Sequence, residues 1–383
     1  MSRDADTPAS DRVARFRALQ AIYDRRVARF DVVRPLRAIH FDVQAKRGRL
    51  RGPLVVMIDL TNQCNIHCVF CYRAGPKVLL EPAGRVRHRD LDAFDGLLDE
   101  LTAMGVASVT LSGGEPTMHP RFIEAVERVK ERDLSLTVVT NGTHLTQAQL
   151  EELAARLDRR RDKVELSLHA ATAETFAALT GSRRYDHLRR TLAAFRDLEI
   201  PFLTMTLALR ANLAEIDAIL DLAAGHGARE HAVEAPFPKS HLPASDCLAI
   251  DEVLDLYARL MATRPGRPFL ALNFFHLHDH IFRDVPSERA PAPGGCHAGT
   301  SSCAIDILGD VHLCQFAIDH RGTAVGNLAD APLAELWARA QRRSAARSAE
   351  SCTNCPAFVW EAEREAPERA PGLVTIRRRE EHR

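Results

Sequence analysis

From residue 54 onward the chain repeats one unit, a short apolar run followed by an amphipathic stretch, and that rhythm limits the folds open to it. The runs fall at 54–60, 108–112, 134–140, 164–169, 202–209 and 231–235, each short and rich in β-branched residues. Stretches with helical periodicity separate them, at 91–104, 120–132, 146–157, 185–198 and 213–224. Strands alternating with helices call for parallel pairing through βαβ crossovers. Six units against the eight of a closed (β/α)8 barrel predict an α/β fold, a partial (β/α)6 TIM-like barrel.

Upstream, residues 1–50 read as a helical arm, with Val13, Phe16, Leu19, Ile22 and Tyr23 at helical spacing. The barrel occupies 51–283. A Pro-rich loop at 236–249 and a helix near 250–263 precede an apolar run, 269–275, that leads into His276, His278 and His280. That alternation reads as one face of a strand. Residues 284–294 read as a linker opening a small Cys-rich domain at 284–361, and 362–383 as a charged tail expected to be disordered.

Lys plus Arg and Asp plus Glu both number 51, so the chain has no basic excess for nucleic acid or a membrane surface. No run approaches the ~18 apolar residues of a membrane span, and the first residues are polar where a signal peptide would be apolar. A cytoplasmic protein is expected. In that reducing setting clustered cysteines bind metal or do chemistry more often than they form disulfides. Three of the nine cysteines crowd into one loop, Cys64, Cys68 and Cys71, and five more lie at 296, 303, 314, 352 and 355.

The loop 64–71 directly follows the first strand. Three thiolates that close can hold one metal centre, either zinc or an iron–sulfur cluster. Zinc sites usually recruit four ligands, and His67 is badly placed to supply the fourth. A cluster held by three thiolates leaves one iron open. Polar and Gly-rich residues gather after the other strands: Gly113, Gly114, Glu115 and Pro116; Thr140, Asn141 and Gly142; Ser167 and His169. In parallel α/β folds sites are assembled on that strand edge. Glycines admit close approach of a ligand, and a carboxylate pairs with an ammonium.

The Cys-x3-Cys-x-aromatic-Cys spacing, with Phe70 as the aromatic, resembles the signature of the radical S-adenosylmethionine (SAM) superfamily, and Gly113–Pro116 is similar to its GGEP motif. The resemblance implies a [4Fe–4S] cluster on Cys64, Cys68 and Cys71, with SAM on its fourth iron. Reductive cleavage of SAM then gives a 5′-deoxyadenosyl radical that abstracts hydrogen from substrate. It also implies SAM contacts from Glu115 and from Thr140, Asn141, Ser167 and His169. A flavodoxin- or ferredoxin-type electron donor is the partner such chemistry requires.

Near the C-terminus, Cys296, Gly309, Cys314, Gly326-Asn327 and Cys352-x2-Cys355 resemble the SPASM/Twitch extension of these enzymes. Cys296, Cys314, Cys352 and Cys355 make four ligands for one auxiliary [4Fe–4S] cluster, or, by count alone, a zinc ribbon. No cysteine follows Cys355, which favours the shorter Twitch form and a likeness to the butirosin-pathway amino-inositol dehydrogenase. Cys303 reads as a packed small hydrophobe. Cys247 reads as a packed residue or as a hydrogen donor to a substrate radical, the role given to a thiol in related carbohydrate epimerases.

The expected function is oxidation or epimerisation of a small molecule, a sugar, aminocyclitol or related natural-product intermediate. The alternative is a peptide-modifying enzyme that forms thioether or carbon–carbon crosslinks. Residues 1–50 look too short and too helical for a leader-binding domain, which ranks the peptide reading second. Specificity is assigned to barrel-mouth side chains such as Arg183, Arg184, Arg210, Glu234 and Lys239.

Overall fold

The computed structural model describes residues 9–30, 51–71, 85–236, 242–264, 269–272, 298–318 and 324–347. In chain order these give α1 (Ala9–Phe30), β1 (Val55–Thr61), α2 (Leu91–Ala103), β2 (Ser108–Gly113), α3 (Phe122–Glu131), β3 (Ser135–Thr140), α4 (Gln147–Arg156) and β4 (Lys163–Ser167). They continue with α5 (Ala173–Thr180), α6 (Tyr185–Asp197), β5 (Phe202–Leu207), α7 (Ile216–Gly225), β6 (Glu230–Glu234), α8 (Ile250–Thr263) and β7 (Phe269–Leu272). The C-terminal part adds β8 (Ser302–Ile305), β9 (Asp310–His312), β10 (Gly326–Asn327) and α9 (Leu333–Arg347).

All ten strands form one sheet in the order β10-β9-β8-β1-β2-β3-β4-β5-β6-β7. β1 to β7 are parallel and lie side by side in chain order. Right-handed crossovers between strands laid down in sequence put every helix on the same face. The sheet therefore curls as a barrel wall, not as a doubly wound sheet. The α/β partial barrel anticipated from six runs is present, extended by a seventh strand, β7, at one edge.

The other edge is closed from far along the chain. β8 pairs parallel with β1, Val56 opposite Cys303, and β9 and β10 add antiparallel to it. Half-buried Arg89 ties the two parts together, its guanidinium donating to the carbonyls of Asp59 (2.7 Å) and Asp306. Asp306 also organises the β8–β9 turn, accepting from the amides of Leu308 (2.9 Å) and Asp310 (3.0 Å) and facing His312 Nε2 at 3.1 Å. On the outside, α1 packs against α8 through Phe16, and Arg12 pairs with Asp251 at 3.0 Å.

Side chains alternate across the sheet. One set, including Val56, Ile58, Val109, Leu111, Val138, Val164, Leu166 and Val233, is wholly buried with the helices' apolar stripes. The other, including Ser112, Thr137, Val139, Glu165, Ser167, Met205 and Glu234, faces the concave side and is largely polar or part-exposed. Among the described residues no helix is long and apolar enough to cross a membrane.

Candidate active site

The cysteine loop is pinned before any metal is considered. His67 N–H donates to the Thr180 carbonyl (2.7 Å) and Val69 N–H to that of Leu179 (3.0 Å), both at the end of α5. These bonds leave Cys64, Cys68 and Cys71 half-buried while His67 is exposed. Burial pushes the Cys64 thiol up to about 12, helped by Glu115 and Cys71. Cys68 is raised as well, by burial and then by Cys71 and Cys64. Three sulfurs that oppose one another's ionisation in a desolvated loop become thiolates once a cationic centre sits among them.

A single ion does not fit that loop. Among the described residues the ligand atoms of just one triple, Asp306, Asp310 and His312, all lie within 4.8 Å of one another. The cysteine sulfurs are spread more widely, as a polynuclear cluster requires and a zinc ion does not. The Asp306 triple is accounted for by its turn: both Asp306 oxygens are engaged, and Asp310 accepts from Asn327 Nδ2 at 2.8 Å.

Gly113 and Gly114 have a role beyond the ligand approach that their sequence implied. Gly113 has φ +128°, and a Cβ there would meet the Thr61 carbonyl oxygen at 2.2 Å; one on Gly114 would meet that of Gln63 at 2.3 Å. The glycines let β2 close onto the segment that launches the cysteine loop, fastened by Gly114 N–H to Thr61 O (2.8 Å) and Glu115 N–H to Gln63 O (2.7 Å). Pro116 then starts a short 3-10 turn over Pro116–Met118.

Glu115 is 1% exposed. One carboxylate oxygen accepts from Thr117 N–H (3.2 Å), Thr117 Oγ1 (2.7 Å) and Thr140 Oγ1 (2.7 Å), the other from Asn141 N–H (2.7 Å). Burial raises its pKa, and those four donors pull the other way. A carboxylate oriented this firmly offers its remaining lone pair to a cation such as an ammonium. Asn141 bridges to the cysteine loop, Nδ2 donating to Asn65 Oδ1 (3.0 Å) and lying 3.9 Å from Cys64 Sγ. Its Oδ1 accepts from Thr143 N–H (2.8 Å) and Oγ1 (2.6 Å), and Asn65 Nδ2 donates to Thr143 Oγ1 at 2.8 Å. Asn65, Thr117 and Thr143 escaped the sequence reading, although Thr117 lies two residues beyond Glu115.

Further along the rim, the Phe70 and His169 rings meet edge to face with centroids 4.5 Å apart. Burial holds His169 down at about 4, so it is neutral, and Nδ1 accepts from Leu207 N–H at 3.1 Å. Ser167 is half-buried at the end of β4. Cys247 is 4% exposed and packs with Phe70, Leu179, Leu209 and Leu242. Cys303 is buried in the main core, its thiol pushed up to about 12. Arg183 and Arg184 are exposed, Arg210 pairs with Glu252 at 2.8 Å, and Glu234 is half-buried. Half-buried Cys314 lies just after β9. Cys296, Cys352, Cys355, Lys239, the three histidines at 276–280, the linker and the charged tail lie outside the described residues.

Residues 58–223 match the model of the radical SAM superfamily, and residues 296–356 that of the iron–sulfur cluster-binding SPASM domain. The chain carries a radical SAM domain followed by a SPASM domain. Its cofactors are accordingly a [4Fe–4S] cluster that binds SAM, an auxiliary cluster, and SAM itself. Among its relatives, the mycofactocin maturase MftC of Mycobacterium tuberculosis is 29% identical over 324 residues, 82% of this chain and 77% of that one. The PqqA peptide cyclase of Ruegeria pomeroyi is 27% identical over 329 residues, 82% of each. The fold is that of Streptococcus suis SuiB bound to S-adenosylmethionine, at TM-score 0.65 and 19% identity over 83% of this chain and 74% of that one. BtrN in complex with AdoMet and 2-DOIA is a distant structural neighbour, at TM-score 0.45 and 14% identity.

Proposed function

We propose that this radical SAM enzyme modifies a peptide, reversing the order in which the sequence alone ranked its two substrate classes. What supports the reading is that relatives aligned over 82% of this chain are a maturase and a peptide cyclase. SuiB, which shares the fold, has also been crystallised with its precursor peptide SuiA. The reaction class becomes crosslinking or another oxidative change on a peptide, in place of dehydrogenation or epimerisation of a sugar.

Cys64, Cys68 and Cys71 hold the first cluster in this reading, and Cys314 with Cys296, Cys352 and Cys355 the auxiliary one. When bound, the first cluster and SAM supply hydrogen-atom abstraction. Glu115 receives the SAM ammonium, Asn141 fixes the loop beside Cys64, and Ser167 and neutral His169 present polar groups at the rim. Phe70 shields the loop from water. A flavodoxin- or ferredoxin-type protein delivers the electron.

The test is anaerobic incubation of the reconstituted enzyme with SAM, reductant and a panel of short synthetic peptides. Mass spectrometry is expected to show a peptide that has lost hydrogen, with 5′-deoxyadenosine formed alongside. Deoxyadenosine released in response to sugars or aminocyclitols, with the peptide unbound and unchanged, would return the small-molecule reading to first place.

A further inference from the structure

The concave face of the barrel carries an ionisable side chain that none of this chemistry employs. Glu165 stands in the middle of β4, two residues before Ser167. At about 3.3 Å per residue it sits about 6.6 Å deeper in the barrel than that rim hydroxyl. Strand register sets it level with Val139 on β3 and Leu203 on β5. It shares the concave face with Ser167, while its neighbours Val164 and Leu166 are wholly buried against the helices.

Its surroundings are unusual for a carboxylate. The side chain is half-buried, and among the described residues no hydrogen bond or ion pair meets it. The charged groups that act on it are Lys163 on its own strand and Glu230 and Glu234 on β6. The positions flanking it on β3 and β5, Val139 and Leu203, are apolar. Burial moves its pKa up to about 7; Lys163 opposes that shift, and Glu234 and Glu230 reinforce it. A structural carboxylate would be paired or fully solvated. This one is part-exposed on the concave face, with no protein partner among the described residues.

We propose that Glu165 is a catalytic residue of the peptide modification, the base that takes a proton from the substrate after hydrogen-atom abstraction. The inference rests on the peptide reading. Abstraction moves one hydrogen atom from a substrate C–H bond to the 5′ carbon of SAM's adenosyl group, giving 5′-deoxyadenosine and a carbon-centred substrate radical. That radical reaches a closed-shell product, with a new bond to a second residue or a new double bond, by losing one proton and one electron. The balance needs a one-electron oxidant, which an oxidised iron–sulfur cluster held by Cys314 and its partner cysteines would supply by taking up that electron. The proton passes to a Glu165 carboxylate oxygen: a substrate X–H bond breaks and a carboxyl O–H bond forms. A base is most effective when its pKa lies near the working pH, and an unpaired carboxylate need break no bond of its own first.

The experiment compares the holoenzyme with Glu165→Gln and Glu165→Asp, using the same short synthetic peptides as probe. In Glu165→Gln, deoxyadenosine formation is expected to persist while modified peptide falls by about 100-fold or more, the usual range for loss of a general base. Wild-type product formation rises with pH through about 7 because the ionised form is the active one. In the Gln variant that rise disappears, and Asp restores part of it. An infrared difference spectrum of the substrate-free holoenzyme across this range should show a carboxylic acid band that ionises and is missing from Glu165→Gln.

Modified peptide formed by Glu165→Gln at the wild-type rate and with the wild-type pH profile would overturn the assignment. So would the absence of any acid band titrating near neutrality. If the wild-type enzyme leaves the peptide untouched, the substrate reading has failed, and the infrared measurement still decides whether Glu165 is the titrating carboxyl the proposal needs.

Discussion

Along β4 the buried Val164 and Leu166 alternate with Lys163, Glu165 and Ser167, and the two sets meet different surroundings. The outward set joins one continuous apolar layer shared with α2, α3, α4, α6 and α7. Full burial of one such side chain contributes about 1.5–3 kcal/mol. The inward set is largely polar or part-exposed, and ends at the rim in the cysteine loop, Glu115, Asn141 and Ser167. One face makes the fold and the other is left free to hold ligands. The outward face has a polar exception that supports the rule. Buried His231 on β6 faces Thr204 Oγ1 with Nδ1 and Thr206 Oγ1 with Nε2 at 3.1 Å, and burial drives its pKa down to about 3. A polar side chain is tolerated among the helices because both ring nitrogens are partnered and it stays neutral.

The sharpest way to break this contrast is at the rim. A Cys64/Cys68/Cys71→Ala variant should lose about four irons per chain, one [4Fe–4S] cluster, and all SAM cleavage. Its circular dichroism and thermal midpoint should change little, since the loop's anchoring bonds to Leu179 and Thr180 are made by backbone. Global unfolding of the cluster-free protein would show that the cluster holds the barrel together, and the division between faces would fail.

A gentler comparison uses two adjacent residues of β4. Leu166→Ala removes a wholly buried side chain and should cost about 2–5 kcal/mol of stability, leaving SAM affinity unchanged in the folded fraction. Ser167→Ala should cost less than about 0.5 kcal/mol, as for other sites away from the core. It should weaken SAM binding by the factor of about 2–10 that one hydrogen bond supplies. Chemical denaturation and SAM titration on both variants read the two effects separately. Equal effects on stability would mean that the concave face is packed like a core.

What the sequence reveals and hides follows from how local each determinant is. The cysteine loop, Gly113-Gly114-Glu115-Pro116 and the six β-branched runs are contiguous, so spacing alone exposes them. The seventh strand was visible only as a run of uncertain pairing. The joining of β8 to β1 links residues some 250 positions apart, which no local pattern records. Asn65, Thr117 and Thr143 are small polar residues in loops, and such residues serve ordinary turns as readily as sites until their partners are seen. The glycines were read for approach to a ligand, yet the atoms that forbid a side chain there belong to Thr61 and Gln63. Substrate class was furthest from the residues, because it depends on cavity loops that share no fixed spacing.

A small effect on activity is expected at Cys247, in the loop before α8. Its thiol is buried among Phe70, Leu179, Leu209 and Leu242, a satellite cluster that backs the cysteine loop. In an apolar setting a thiol acts chiefly as a small hydrophobe. Cys247→Ala removes little volume, so a loss of about 1 kcal/mol, the centre of the range for single substitutions, is the most to expect. Peptide turnover should be retained, because a peptide crosslink needs no hydrogen returned to the substrate. Abolished product with undiminished deoxyadenosine would instead identify Cys247 as the hydrogen donor and bring back epimerisation. The same variant thus separates a residue that backs the cysteine loop from one that completes the reaction.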